Sequence, residues 1–140
     1  AQIWKYKGRR IVAVRPGESI ADAARVLNRE GIGAVLARDP SGKVVGIMSE
    51  RDVVRTLAQQ GDRALGMSVA ECMTRDVVFC SPHDSIDRVM SMMTARRFRH
   101  LPVEKDGMLY GIISIGDVVK RRIQDAEREA EEIKAYIATA

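Results

Sequence analysis

Aromatic residues are scarce in this chain: one Trp, three Tyr and two Phe among 140 residues. So few rings cannot build the stacking platforms on which proteins hold single-stranded nucleic acid. Cysteine is equally thin. Cys72 and Cys80 form no Cys-x-x-Cys, sit in apolar stretches and read as small buried side chains. His83 and His100 complete no metal-ligand pattern, so no metal site is expected. No run approaches the ~20 apolar residues of a membrane span, and no basic-then-apolar leader is present, so the expectation is a soluble cytoplasmic protein. A single-sign charge block is missing too. The net charge is +4, but the bases are dispersed and the C-terminal segment is acidic at Glu127, Glu129, Glu131 and Glu132. That favours a mixed-charge solvated surface with one local anion site over a nucleic-acid surface. No nucleophile–base pair with a third member is visible, so no catalysis is expected.

What is present is a repeat. Gly46-Ile47-Met48-Ser49-Glu50-Arg51-Asp52 and Gly111-Ile112-Ile113-Ser114-Ile115-Gly116-Asp117 share Gly, two apolar residues, Ser, two variable residues and Asp. Both run on into Val-Val and a base, at Val53-Val54-Arg55 and Val118-Val119-Lys120. Asp52 and Asp117 stand 65 residues apart. Upstream, Arg15-Pro16-Gly17-Glu18-Ser19-Ile20 answers to Ser81-Pro82-His83-Asp84-Ser85-Ile86 at a spacing of 66. The second copy therefore lacks one residue, between Ala37–Lys43 and Val103–Met108, where a turn absorbs a length change at little cost. Ala1-Gln2-Ile3-Trp4 resembles Ala70-Glu71-Cys72-Met73 as the lead-in to each copy. Such a repeat implies two pseudo-symmetric halves.

Each copy reads β-α-β-β-α. In the first, Ile11–Val14 is a strand stopped by Pro16, and Ser19 with Asp22 caps a helix whose Ile20, Ala23, Ala24 and Leu27 share one face, ending near Gly31. Strands follow at Ile32–Ala37 and Lys43–Met48, around the turn Asp39-Pro40-Ser41-Gly42. Ser49 then caps a helix expected to turn Val53, Val54 and Leu57 inward. In the second, the strand is Val77–Cys80, the helix after Ser85 buries Ile86, Val89, Met90 and Met93, and Arg99–Val103 pairs with Leu109–Ile113. Met90, Met92 and Met93 read as core filler. The expected divisions are a first unit at 1–60, a linker at 61–69, a second unit at 70–124 and a helical extension at 125–140. A three-stranded unit of this size cannot cover its own sheet, so two units should pack sheet to sheet. Val119, Ile123, Ala126, Ala130, Ile133 and Ile137 follow one another by four and three, an apolar stripe on a last helix that runs to about Tyr136 and needs a partner.

The two Ser-x-x-Asp pairs have a purely structural explanation as helix caps, as at Ser19 and Asp22. Two features add a functional one. A helix start offers unpaired N–H groups suited to phosphate, and an Asp one turn in can accept from the adjacent hydroxyls of a ribose.

The duplicated β-α-β-β-α pattern, the Gly-x-x-Ser-x-x-Asp endings, Met73-Thr74-Arg75-Asp76-Val77 and Arg99-His100-Leu101-Pro102-Val103 together resemble a tandem pair of cystathionine-β-synthase (CBS) domains, the Bateman module. The likeness covers essentially the whole chain and is similar to small stand-alone bacterial members. It implies two clefts between the units, each binding an adenosine-containing ligand. Cleft one would combine Ser49, Arg51 and Asp52 with Val78, Ser81, Arg99, His100 and Pro102, with Asp52 on the ribose and Ser49 and Arg99 on phosphate. Cleft two would combine Ile112, Ser114, Gly116 and Asp117 with Arg15, Ile20, Ile32, Gly33 and Ala34. Gly33-Ala34 stands where the second copy has Arg99-His100, so the clefts should be unequal. The resemblance implies a regulatory module, an adenine-nucleotide sensor that passes occupancy to an unknown downstream protein, paired as a homodimer. AMP is the first ligand expected, then NAD, ATP or ADP, with S-adenosylmethionine last. The alternatives are a nucleic-acid-binding protein using the basic surface and a small nucleotide-processing enzyme.

Overall fold

The computed structural model describes residues 11–139. The lead-in Ala1-Gln2-Ile3-Trp4 lies outside them. Strand β1 (Ala13–Val14) precedes helix α1 (Ile20–Glu30), then β2 (Ala34–Arg38), β3 (Val44–Ser49) and helix α2 (Glu50–Gln60). A 3-10 turn (Gly61–Gly66) and the short helix α3 (Val69–Cys72) lead to α4 (Ile86–Arg96), β4 (His100–Lys105), β5 (Met108–Ser114) and α5 (Ile115–Thr139). No helix among the described residues is long and apolar enough to cross a membrane.

The helices begin where their caps dictate. Ser19 Oγ accepts from the Asp22 amide at 3.1 Å and Ser85 Oγ from the Arg88 amide at 3.1 Å, each satisfying an orphan donor of the first turn. Helix α1 buries Ile20, Ala23 and Leu27, and α4 buries Ile86, Val89 and Met93, as their spacing predicts.

The sheets repeat each other down to their irregularities. β1 runs parallel to β2, with Val14 opposite Ala37, and β2 runs antiparallel to β3. In the second half β4 and β5 are antiparallel, and the strand expected at Val77–Cys80 contracts to one parallel bridge, Cys80 opposite Val103. That bridge occupies the register of Val14 and Ala37. Both hairpins shift register at the same place, between Ala37 and Arg38 and between Val103 and Glu104. The missing residue falls in the hairpin loop. In the first, the Asp39 carboxylate accepts from the Ser41 and Lys43 amides at 2.9 and 3.0 Å. In the second, Asp106 and Gly107 have φ of 53° and 75°, the paired positive values of a tight two-residue turn.

Each half keeps its own apolar cluster. Val14, Ile20, Leu27, Val35 and Met48 gather with Val69, Cys72 and Met73, so the segment after the linker belongs to the first core. Cys80, Ile86, Val89, Met93, Leu101, Val103, Ile113 and Val118 form the second. Leu36 and Pro102, buried outside both clusters, lie on the inner sheet faces that meet across the clefts. The link between halves is also a sheet edge: the Thr74 amide donates to the Ile47 carbonyl at 2.8 Å and the Ile47 amide to the Thr74 carbonyl at 3.0 Å. Met73 packs directly on Gly46, where a Cβ would overlap its Sδ.

Two expectations need correction. Val54 and Leu57 do not point inward; they are 64% and 37% exposed, and the buried positions of α2 are Asp52 and Thr56. Thr56 can occupy the interior because its hydroxyl donates to the Asp52 carbonyl at 2.8 Å and contacts Cys72 Sγ at 3.1 Å. The strand expected from Ile11 forms only from Ala13, and Ile11 and Val12 border a cleft instead. The apolar stripe of α5 is open as expected, with Val119, Ile123, Ile133 and Ile137 all more than 40% exposed.

Candidate functional site

A helix start faces each of two clefts between the halves. At the first, Ser49 and Asp52 close a reciprocal capping box: the Ser49 amide donates to Asp52 Oδ2 at 2.8 Å, and the Asp52 amide to Ser49 Oγ at 3.3 Å. Asp52 Oδ1 accepts from Arg55 at 2.8 Å. Asp52 is 6% exposed and borders the cleft, and its Oδ2 also accepts from the Ser49 hydroxyl at 3.1 Å. At the second, the Ser114 amide donates to Asp117 Oδ2 and the Asp117 amide to Ser114 Oγ, both at 3.1 Å. Each site helix is tied to the strand beside it by one equivalent bond. The Glu50 amide donates to the Gly33 carbonyl at 2.9 Å, and the Ile115 amide to the Arg99 carbonyl at 2.7 Å. Arg99 therefore occupies the place of Gly33, and His100 that of Ala34.

Cleft one, about 460 Å³, brings together Ser49, Arg51, Asp52, Val78, Arg99, His100 and Pro102. Ser81 stands apart, its amide bound to Asp84 at 2.7 Å where the chain turns into α4. Cleft two, about 270 Å³, gathers Ile32, Gly33, Ala34, Ile112, Ser114 and Asp117. Arg15, Ile20 and Gly116 are not on its wall. Ile20 is fully buried in the first core, the Arg15 amide donates to Glu18 at 2.6 Å in the turn before α1, and Gly116 borders a shallow outer groove on α5. The first cleft has the volume usual for small-molecule pockets, and the second falls just short of it.

Residues missed in the sequence make the clefts more unequal than Arg99 alone suggests. Arg55, Arg96 and Arg97 join Arg51 and Arg99 around cleft one, facing Glu50, Asp52 and Asp76. Thr74 and Val77 complete the wall. The spacing of the repeat is the signal that would have found them: Arg96, Arg97 and Arg99 stand where the first half has Glu30, Gly31 and Gly33. Gly31 ends α1 with φ 64° and ψ 37°, and Arg97 ends α4 in the same left-handed conformation, φ 58° and ψ 30°. For a residue with a Cβ that backbone costs about 1 kcal/mol. Among the described residues cleft two has Asp117 and His100 as its ionisable lining.

His100 borders both clefts. Burial pushes its imidazole below the ordinary value, while the carboxylates of Glu50 and Asp117 pull the other way and Arg99 adds to the depression. Cys80 is sealed in the second core, where burial pushes its thiol up to about 12. No group of three or more His, Cys, Asp or Glu among the described residues could hold a metal.

Comparison with known proteins agrees with this geometry. The CBS domain family model matches twice, at residues 6–59 and 69–123. A CBS-domain-containing protein of Agrobacterium tumefaciens is 49% identical and superposes with a TM-score of 0.82, over 86% of this chain and 90% of that one. The CBS domain pair of protein MJ0100, solved in complex with 5′-methylthioadenosine and S-adenosyl-L-methionine, is 26% identical with a TM-score of 0.72, over 81% and 92%. Among curated proteins, a mitochondrial CBS domain-containing protein of Arabidopsis thaliana is 32% identical over 86% of this chain, which spans 60% of that relative's length. The chain belongs to the CBS-domain family, and its two halves are two CBS domains in tandem.

Proposed function

We propose that the chain is a regulatory module that binds adenosine-containing ligands between its two CBS domains and acts by passing their occupancy to a downstream protein, without catalysis of its own. One observation carries this reading: each capping carboxylate lies on the wall of a cleft whose opposite side comes from the other domain. In cleft one, Asp52 receives the ribose hydroxyls, Ser49 and Arg99 hold phosphate, and Val78 and Pro102 cover the adenine. The complex of the MJ0100 pair with two adenosine compounds supports the ligand class. AMP is the smallest ligand that uses all of these groups and stands first, followed by NAD and by ADP or ATP, with S-adenosylmethionine last. Titration calorimetry with each of these and with adenosine tests the proposal. Micromolar or tighter binding of at least one, lost when Asp52 and Asp117 are both changed to Asn, is expected; a flat response to all overturns it.

The module is also a homodimer in this reading. Val54 on α2 and Val119 on α5 occupy equivalent repeat positions and are both exposed, beside Leu57, Ile115 and Ile123. Apolar residues repeated on the outer faces of both site helices suit a self-complementary two-fold contact.

A further inference from the structure

We infer that cleft one selects a di- or triphosphate chain over a monophosphate, with Arg97 as a specificity-determining residue. The inference rests on reading cleft one as a nucleotide site and revises the order in which AMP stands first. Five arginines border the cleft, and two are already occupied: Arg55 bonds Asp52 at 2.8 Å and Arg96 lies 3.7 Å from Asp76. Among the described residues Arg51, Arg97 and Arg99 make no ion pair with a carboxylate. A monophosphate held by Ser49 and Arg99 engages one of those three and leaves the other two without an anionic partner. A longer phosphate chain, with its additional charge and acceptor oxygens, reaches the others by charge-assisted hydrogen bonds.

Arg97 gives this its specificity to the present chain. The equivalent position in the first domain is Gly31, the residue suited to a left-handed helix end. The second domain keeps the same backbone and holds an arginine there, against local preference, on the rim of the cleft. Local disfavour retained at a binding wall points to a role in the ligand. Among the described residues the opposing cleft, with Glu30 and Gly31 at the equivalent positions, is lined by no arginine or lysine.

The test is titration of the full chain with adenosine, AMP, ADP and ATP, in EDTA so that magnesium does not neutralise the chain, followed by the same series on Arg97→Gly. Because glycine relaxes the left-handed turn, the variant should melt no lower than the parent and so remain folded. The expected result is ATP at least about tenfold tighter than AMP, the value of one charge-assisted hydrogen bond, with the ATP-to-AMP ratio falling severalfold in Arg97→Gly. Equal affinity for AMP and ATP overturns the inference while leaving the nucleotide reading intact, as does an unchanged ratio in Arg97→Gly. Failure of every adenosine compound to bind overturns the nucleotide reading, and this inference with it.

Discussion

Gly33 and His100 touch across the two domains: a Cβ on Gly33 would lie 2.9 Å from His100 Nε2. The contact is where the two clefts share a wall, since both residues border both. Gly33 is needed here for space. Its carbonyl holds the first amide of α2, so its backbone cannot retreat without disturbing the Ser49–Asp52 cap.

Gly33→Ala should therefore act on both clefts at once. The added methyl displaces His100 or moves β2, at a cost of about 1–3 kcal/mol in stability. Chemical denaturation measures the loss, and calorimetry should show weakened binding in both sites. A variant as stable as the parent would mean that His100 swings aside freely.

Asp52→Asn keeps a short polar cap on α2 but removes the charged acceptor and the partner of Arg55. Affinity of cleft one for adenosine ligands should drop by roughly 1.5–3 kcal/mol while the circular dichroism spectrum is retained. Asp117→Asn should weaken the other site independently. Unchanged isotherms in both variants would return the two carboxylates to capping alone.

His100 makes stability depend on pH. Its depressed value in the folded chain means that the unfolded chain binds more protons below about 6.5, its ordinary value. Its neutral, buried form therefore supports the fold fully above that pH, and this support is lost as pH falls from there toward the lowered folded value. His100→Gln should flatten the melting-temperature profile across this acid window. A phosphate ligand beside the imidazole favours its charged form, so binding near pH 6 should take up protons, visible as a buffer-dependent enthalpy.

Ile133→Asp on α5 and Val54→Asp on α2 place a charge on exposed apolar faces. Light scattering at micromolar concentration should give a dimer mass for the parent and a shift toward monomer in Val54→Asp. Ile133→Asp should weaken the dimer with ligand binding preserved. A monomeric parent removes the homodimer; a dimer indifferent to Ile133→Asp removes the end of α5 from its interface.

Much of this was legible in the sequence because duplication marks what matters twice. The Ser-x-x-Asp helix starts, the Gly46 and Gly111 strand ends and the one-residue shortening of the second hairpin all appear as spacing. The overlong last helix was legible from its four-and-three stripe. Periodicity misled at α2 for Val54 and Leu57: Val53 does pack against the first core, but the buried positions of the helix are Asp52 and Thr56. A helical pattern does not say which of two apolar surfaces a domain covers itself and which it leaves open. Arg96 and Arg97 are hard to single out because exposed bases near a helix end ordinarily mean solvent, and only their cross-repeat partners Glu30 and Gly31 give them away. Ser81 and Arg15 sit in the turns before α4 and α1, Ile20 is taken into the first core and Gly116 borders an outer groove, none of which the repeat spacing shows.

The crossing of Val69–Thr74 from one half into the other makes the pair an interlocked body. Val69, Cys72 and Met73 complete the first core, and Thr74 completes the edge of its sheet. A fragment cut after Gln60 would carry the whole first repeat and still lack a wall of its interior. It should collapse loosely, whereas one extended through Thr74 should recover a sharp melt. Two clefts arose by duplication, but the halves no longer separate along the seam of the duplication.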